Sequence, residues 1–151
     1  MQLIKDQQII EDSRQFITDD QPIPAQGEIS VSLQRWLAER DQLLSFPSKV
    51  GVRLSPTDAT ADLTQDLDKI ALVEVEFPVY TDGRAFSHAR LLRSRYHYQG
   101  EIRAVGQFMA DQVFYLSRVG VNAFQLPNPS ELPVALNTLQ DFTVNYQLST
   151  E

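Results

Sequence analysis

The chain has 151 residues, 42% of them apolar, which is one domain's worth of material and enough to bury about 70% of the surface of the unfolded chain. Thirteen Lys and Arg stand against 20 Asp and Glu, a net charge of -7, so tracking a nucleic-acid backbone is not expected. Cysteine is absent, which excludes disulfides, thiolate metal sites, cysteine-held clusters and cysteine nucleophiles. A cytoplasmic protein without cofactor or metal is the simplest expectation. The opening MQLIKDQQII is too polar for a signal peptide, and no apolar run approaches the ~20 residues of a membrane span.

In chain order, Leu3-Ile4 and Ile9-Ile10 flank KDQQ as a short hairpin, followed by the polar, proline-marked stretch 19–27. Ser32 caps a predicted helix to about Leu44, with Leu33, Trp36, Leu37, Arg40 and Leu44 at helical spacing, and Pro47 closes it. Residues 1–46 thus read as an N-terminal hairpin-and-helix annex, in one compact unit with a βα domain over 47–151. There, Val50 to Leu54 predicts a strand, Thr57 or Asp58 a helix start running through Leu63 and Leu67, and Ile70 to Phe77 the strongest strand. A helix over Phe86 to Tyr96, a strand over Glu101 to Val105, a helix from Gln107 to Val119 and a strand over Val121 to Leu126 follow. A last helix starts at Ser130.

Strands separated by helices require crossovers, so the expected class is α/β, with a mostly parallel sheet of four or more βα units. Arg53, Glu74, Glu76, Arg103 and Gln125 alternate with Val52, Val73, Val75, Phe77, Ala104 and Phe124, placing charge and polarity on one sheet face. A half-barrel, or a small sheet with one face turned toward a cleft or a second subunit, suits that pattern better than a doubly wound sheet.

The densest chemistry lies between Thr81 and Arg103, where Arg84, Arg90, Arg93, Arg95 and Arg103 outnumber Asp82 and Glu101 to give +3. The turn TDGRAFS follows the strongest strand and opens a helix. Asp82, Gly83, Arg84, Ser87, Arg90 and Arg103 are therefore the candidate anion site, because guanidinium forks and free backbone N–H groups match oxyanions. The alternative is that the arginines pair with an acidic helix carrying Asp58, Asp62 and Asp66 and bind nothing. Ser87 and His88 are adjacent and point about 100° apart on a helix, so they do not form a nucleophile–base pair. His88 and His97 read as surface polar residues, and the three aspartates lack the glycine turn of a calcium loop. The helix QFMADQVFYLSRVG is apolar on more than one side. Phe108, Met109, Phe114 and Tyr115 are its candidate interface residues, either under the annex or in a homodimer.

The runs FPVYTDGRAFSHARLLRSRY and GEIRAVGQFMADQVFYLSRVGVNAF and the tail DFTVNYQ resemble, from about Val50 to Gln147, a bacterial family of unknown function. Its genes commonly sit beside assimilatory sulfite or nitrite reductase genes, and its members are described as oxidoreductases or accessories of sulfite assimilation. Asp82, Gly83, Arg84, Ser87, Arg90, Arg93, Glu101, Arg103, Gly106, Asp111 and Gln112 fall on the family pattern. Ala85 stands where glycine is typical, Gln107 where aspartate is, and Val119 where cysteine often is. The resemblance implies a non-catalytic accessory in sulfur or nitrogen assimilation, partnered with the reductase system. The alternative is a small (βα) enzyme acting on a sulfur or phosphate oxyanion, with Arg84 and Arg103 as clamp and Asp82 or Glu74 as acid–base group.

Overall fold

The computed structural model describes residues 1–149, and side chains as far as residue 141. Eight strands form one sheet: β1 (Gln2–Lys5), β2 (Gln8–Glu11), β3 (Gln15–Phe16), β4 (Ile29–Ser32), β5 (Gly51–Leu54), β6 (Leu72–Phe77), β7 (Glu101–Gly106) and β8 (Ala123–Phe124). Their order is β2-β1-β8-β7-β6-β5-β4-β3. From β3 to β8 the neighbours are parallel, while β1 runs antiparallel to both β8 and β2. The mixed α/β class and mostly parallel sheet agree with the expectation, with β3 and β4 as further parallel strands and the hairpin as one edge.

Strands β2 and β3 are the two sheet edges, yet only Asp12, Ser13 and Arg14 separate them in the chain. Four residue steps span at most about 14 Å, whereas a flat sheet of this width would hold its edges more than about 30 Å apart. The sheet must therefore curl into a half-barrel until its edges become neighbours, with residues 12–14 as the seam. The hairpin turn at the β1–β2 edge uses positive φ at both Asp6 (50°) and Gln7 (64°), the backbone a two-residue primed turn demands.

The register places Arg53 opposite Glu74 and Glu74 opposite Arg103, so these three share one face, with Glu76 two residues along β6. Phe16, Ser30 and Gly51 are in register on the same face. The opposite face carries Val31, Val52, Leu54, Val73, Val75, Phe77, Ile102, Ala104 and Phe124, all in the main apolar core. Helices cover that apolar face, and the charged face turns inward. The inward face is crossed by contacts that skip a strand: Ser30 of β4 donates to Glu74 of β6 at 2.9 Å, over Gly51, where a Cβ would collide with the Ser30 hydroxyl.

The helices depart from the predicted spans at identifiable residues. Ser32 caps as expected, accepting from the Arg35 backbone at 3.1 Å, but the run breaks at Glu39 into α1 (Leu33–Ala38) and α2 (Arg40–Leu44). The predicted helix at Thr57 is a 3-10 turn over Thr60–Asp66, because Asp58 closes a loop onto the Ser55 N–H and Asp66 is drawn inward. Asp66 is 2% exposed; it accepts from Trp36 Nε1 at 2.8 Å and from a two-pronged Arg40, so it is no part of a solvated acidic face. Helix α3 (Arg84–Arg90) continues as a π turn over Leu91–Arg95. The predicted helix from Gln107 begins later, as a 3-10 turn at Ala110–Gln112 and α4 (Val113–Arg118), since Gly106 at φ +92 first diverts the chain and Phe108 enters the core. A last helix, α5 (Leu132–Ser149), contains the tail DFTVNYQ, whose side chains past Asp141 lie outside the described ones. Among the described residues no helix is long and apolar enough to cross a membrane.

Candidate functional site

The arginine window does not converge. Arg84 closes on its own neighbour: its Nε and Nη2 donate to Asp82 at 3.1 and 2.7 Å, and its backbone N–H adds a bond to Asp82 at 3.0 Å. The Arg84 side chain, then the Arg84 backbone N–H, hold the Asp82 carboxyl down at about 2. Gly83 precedes the helix, and Ser87 and Arg90 are exposed on α3. That helix lies over the apolar sheet face, with Phe86 edge-on to Phe77 at 5.8 Å between ring centres and Ala85 and Ala89 in the core. Arg103 projects from the other face of the sheet. It is 2% exposed, held by Glu101 at 2.7 Å and by Asp12 of the seam at 3.0 Å. Burial pushes Asp12 up, but the Arg14 backbone N–H and the Arg103 guanidinium outweigh it and leave the carboxyl below its ordinary value. Lys5 also reaches Glu101, at 3.1 Å.

Arg93, on the family pattern, is a structural clamp: Nε and Nη2 donate to the Gly120 carbonyl at 3.0 and 2.8 Å, and Nη1 to the Tyr98 carbonyl at 2.7 Å. His88 is buried, contrary to its surface reading. Its Nε2 donates to the Ser55 carbonyl at 2.9 Å, which leaves Nδ1 to accept from the Thr60 hydroxyl at 2.6 Å. Both ring nitrogens tie α3 to the preceding crossover.

Chemistry gathers instead inside the curled sheet. A cavity of ≈ 450 Å³ is lined by Met1, Arg14, Gln15, Phe16, Ile17, Gln21, Arg53, Glu74 and Gln125. Ile17 and Gln21 in its lining follow β3 and Gln125 follows β8, while Arg14 and Gln15 stand at the start of β3. The carboxyl ends of parallel strands are where sheets of this kind place their ligands. Glu74 is 2% exposed with both oxygens occupied, one by Arg53 Nε at 2.7 Å and the other by Ser30 Oγ at 2.9 Å. The Arg53 guanidinium lies 3.8 Å from the centre of the Phe16 ring. Stacking and the Glu74 bond fix its plane. Among the described residues its Nη1 and Nη2 make no hydrogen bond; Nη1 is 4.0 Å from Glu76.

Arg14, Gln15, Phe16 and Gln21 are not among the sequence candidates, whereas Arg53, Glu74 and Gln125 stand out as polar positions alternating along strands, and Glu74 also as an acid–base candidate. Strand β3 is two residues long, so no periodicity marks Phe16, and nothing local in the sequence says that the segment after the hairpin lies across the sheet. The one usable signal was the charge on strand positions that a buried sheet would fill with apolar residues.

Of the apolar candidates, Phe108 is buried between Phe77 and Phe124, with ring centres at 5.7 and 6.5 Å. Phe114 is half-buried against Tyr115, while Met109 and Tyr115 are 48% and 59% exposed. Val79 and Tyr80 add exposed apolar surface, and the Tyr80 carbonyl accepts from Gln112 at 3.0 Å.

Residues 51–151 match the model of a bacterial protein family of unknown function, DUF934. No curated protein matches the chain. The matched span begins at β5, so it contains Arg53 and Glu74, while Arg14 and Phe16 lie before it.

Proposed function

The chain belongs to DUF934, a bacterial family of unknown function, and from that premise we propose that it is a non-catalytic accessory that holds a small oxyanion in the mouth of its curled sheet. The observation that carries this reading is the end of Arg53: a cavity-lining guanidinium fixed by Glu74 and Phe16, whose two terminal nitrogens make no hydrogen bond among the described residues, with Glu76 4.0 Å from Nη1. A pre-oriented fork of this kind recognises carboxylate, sulfur or phosphorus oxyanions. Binding is favoured over catalysis because Glu74, the carboxylate lining the cavity, is 2% exposed and its charge is engaged by Arg53 and Ser30. The accessory role in sulfur (sulfite) or nitrogen assimilation, in the cytoplasm beside a sulfite or nitrite reductase system, rests on the family resemblance. Exposed Met109 and Tyr115 supply surface for such a partner or for a second copy.

Calorimetric titration of sulfite, sulfate, phosphate and nitrite tests the reading. Arg53→Lys keeps the charge and removes the fork, and is expected to weaken oxyanion binding by roughly tenfold or more. No binding by the parent protein of any of these anions would overturn it.

A further inference from the structure

We propose a second binding site, at the amino ends of β5, β6 and β7, where Tyr98 is the hydrogen-bond donor to a small organic molecule with an apolar, ring-sized body and an oxygen acceptor. The cavity there, ≈ 380 Å³, is lined by Lys49, Leu67, Ile70, Ala71, Tyr98 and Gly100 among others. It shares no residue with the cavity that Arg53 lines, so it does not rest on the oxyanion reading.

Tyr98 is held in place from both sides. His97 turns the chain at φ 55° after the π turn, and the Tyr98 N–H returns to the Leu92 carbonyl at 2.8 Å. The Tyr98 carbonyl accepts from Arg93 Nη1 at 2.7 Å. The residue is 8% exposed and belongs to the main core, yet its hydroxyl makes no hydrogen bond among the described residues. A buried phenol ordinarily finds a partner for its O–H. This hydroxyl is also reachable, because Arg14 Nε is the one side-chain atom among the described residues that is both fully enclosed and without a partner. The hydroxyl end of the ring lies over Gly100, where a Cβ would collide with it, and Gly100 lines the same cavity. Burial, against the pull of Arg93, pushes the Tyr98 hydroxyl up to about 12, so at neutral pH it stays protonated and able to donate.

The rest of the lining sets the ligand class. Leu67, Ile70 and Ala71, buried or half-buried on the approach to β6, form an apolar wall. Leu72 is in register with Glu101, and the Ala71 N–H on the Val50 carbonyl at 2.9 Å extends the ladder between β5 and β6. Lys49 and Gly100 therefore flank that wall, two strand spacings or about 10 Å apart. Lys49 Nζ donates to the Asp68 carbonyl at 3.3 Å, which holds one of its three N–H groups. The Asp68 carboxylate is 82% exposed and paired with Lys69 at 3.4 Å. An apolar wall with a neutral donor on one side suits a small ring bearing a carbonyl or carboxylate oxygen. A neutral carbonyl needs Tyr98 alone, whereas a carboxylate also draws on the Lys49 charge.

The test is an NMR titration of the full, amide-labelled chain with benzamide and benzoate, two probes of the same shape that differ in charge. Saturable shifts centred on residues 67–71 and 96–100 are expected for at least one of them. Tighter binding of benzoate identifies an organic acid held with the help of Lys49, and equal or tighter binding of benzamide identifies a neutral carbonyl compound; both fulfil the expectation. Tyr98→Phe keeps the ring over Gly100 and removes only the hydroxyl, so affinity should fall about fivefold, the loss of one hydrogen bond. Arg53→Lys should bind both probes as the parent does, whatever it does to oxyanions, which keeps the two sites distinguishable. If Tyr98→Phe, folded by circular dichroism, binds the probes as tightly as the parent, or if the shifts centre on other residues, Tyr98 is no ligand donor and the proposal fails. Should neither probe bind saturably, the site itself is overturned.

Discussion

Arg103 is expected to act on the fold and not on the ligand, and replacing it separates the two roles. In Arg103→Met the side chain keeps its length, but the carboxylates of Glu101 and Asp12, only 10% and 15% exposed, lose their common cation. Breaking one partner of a buried ion pair costs about 3–5 kcal/mol. Glu101 keeps Lys5 at 3.1 Å and Asp12 keeps the Arg14 N–H at 2.6 Å, so the lower end, about 3 kcal/mol, is expected. The loss depends on pH with a definite sign. Asp12 sits below its ordinary value in the native protein, so its contribution is complete above about 3.9 and fades as pH falls through the lowered native value. In the variant, burial acts without the guanidinium and raises Asp12, so protonation relieves the repulsion earlier and the gap to the parent narrows on acidification. Urea unfolding at pH 7 and near pH 4 measures both effects through Trp36, the only tryptophan and fully buried. A loss below about 1 kcal/mol, or a gap that widens in acid, would refute the reasoning. Normal stability with weakened sulfate binding would make Arg103 a ligand contact instead.

Gly106→Ala should cost at least about 2 kcal/mol, since φ is +92 and a Cβ would collide with the Phe77 backbone carbonyl; thermal unfolding checks it. Asp66→Ala strands the buried Trp36 N–H and is expected to lose about 2 kcal/mol in urea unfolding. Arg84→Ala should let the Asp82 carboxyl rise from about 2 toward its ordinary value in an NMR titration, with melting temperature and sulfate affinity unchanged. A dimer buried through Met109 and Tyr115 should sediment above 17.2 kDa, and Tyr115→Glu should return it to the monomer mass.

The parallel order from β5 to β8 was legible because alternation along Val50 to Leu54, Ile70 to Phe77 and Glu101 to Val105 has the period of a sheet with one apolar face, and the register confirms Arg53, Glu74 and Arg103 on the other. The hairpin was legible from two apolar pairs around a polar turn. What local pattern does not carry is where a segment goes after a turn. Strand β3 pairs through two residues only, and its place at the far edge follows from the curl of the whole sheet. The arginine density between Thr81 and Arg103 was real as composition, but residues adjacent in the sequence were divided between the two faces of the sheet. Arg84, Arg93 and Arg103 ended on three unrelated partners. The burial of His88 was hidden for a similar reason: its partners, Thr60 and Ser55, come from a crossover that forms a 3-10 turn rather than the expected helix.

A charged sheet interior is an unpromising device for stability, because apolar side chains of similar volume would fill the same space without the desolvation penalty of each ion. Here each largely buried carboxylate of that interior is answered: Glu74 by Arg53 and Ser30, Glu101 by Arg103 and Lys5, Asp12 by Arg103 and the Arg14 N–H. Among the described residues the donors left without a hydrogen bond include Arg14 Nε, which is buried, and the terminal nitrogens of Arg53, a residue that lines the cavity. If the network served packing alone, surplus donors and acceptors would be expected in equal measure, and a buried N–H would not be left where a slightly different rotamer or an apolar residue removes its cost. In the reading proposed above, an anionic ligand would give the terminal donors of Arg53 an acceptor. The pairs deeper in the sheet would then act a second time, because by engaging those carboxylates they leave Glu76, 4.0 Å from Nη1, as the ion-pair partner at the end of Arg53.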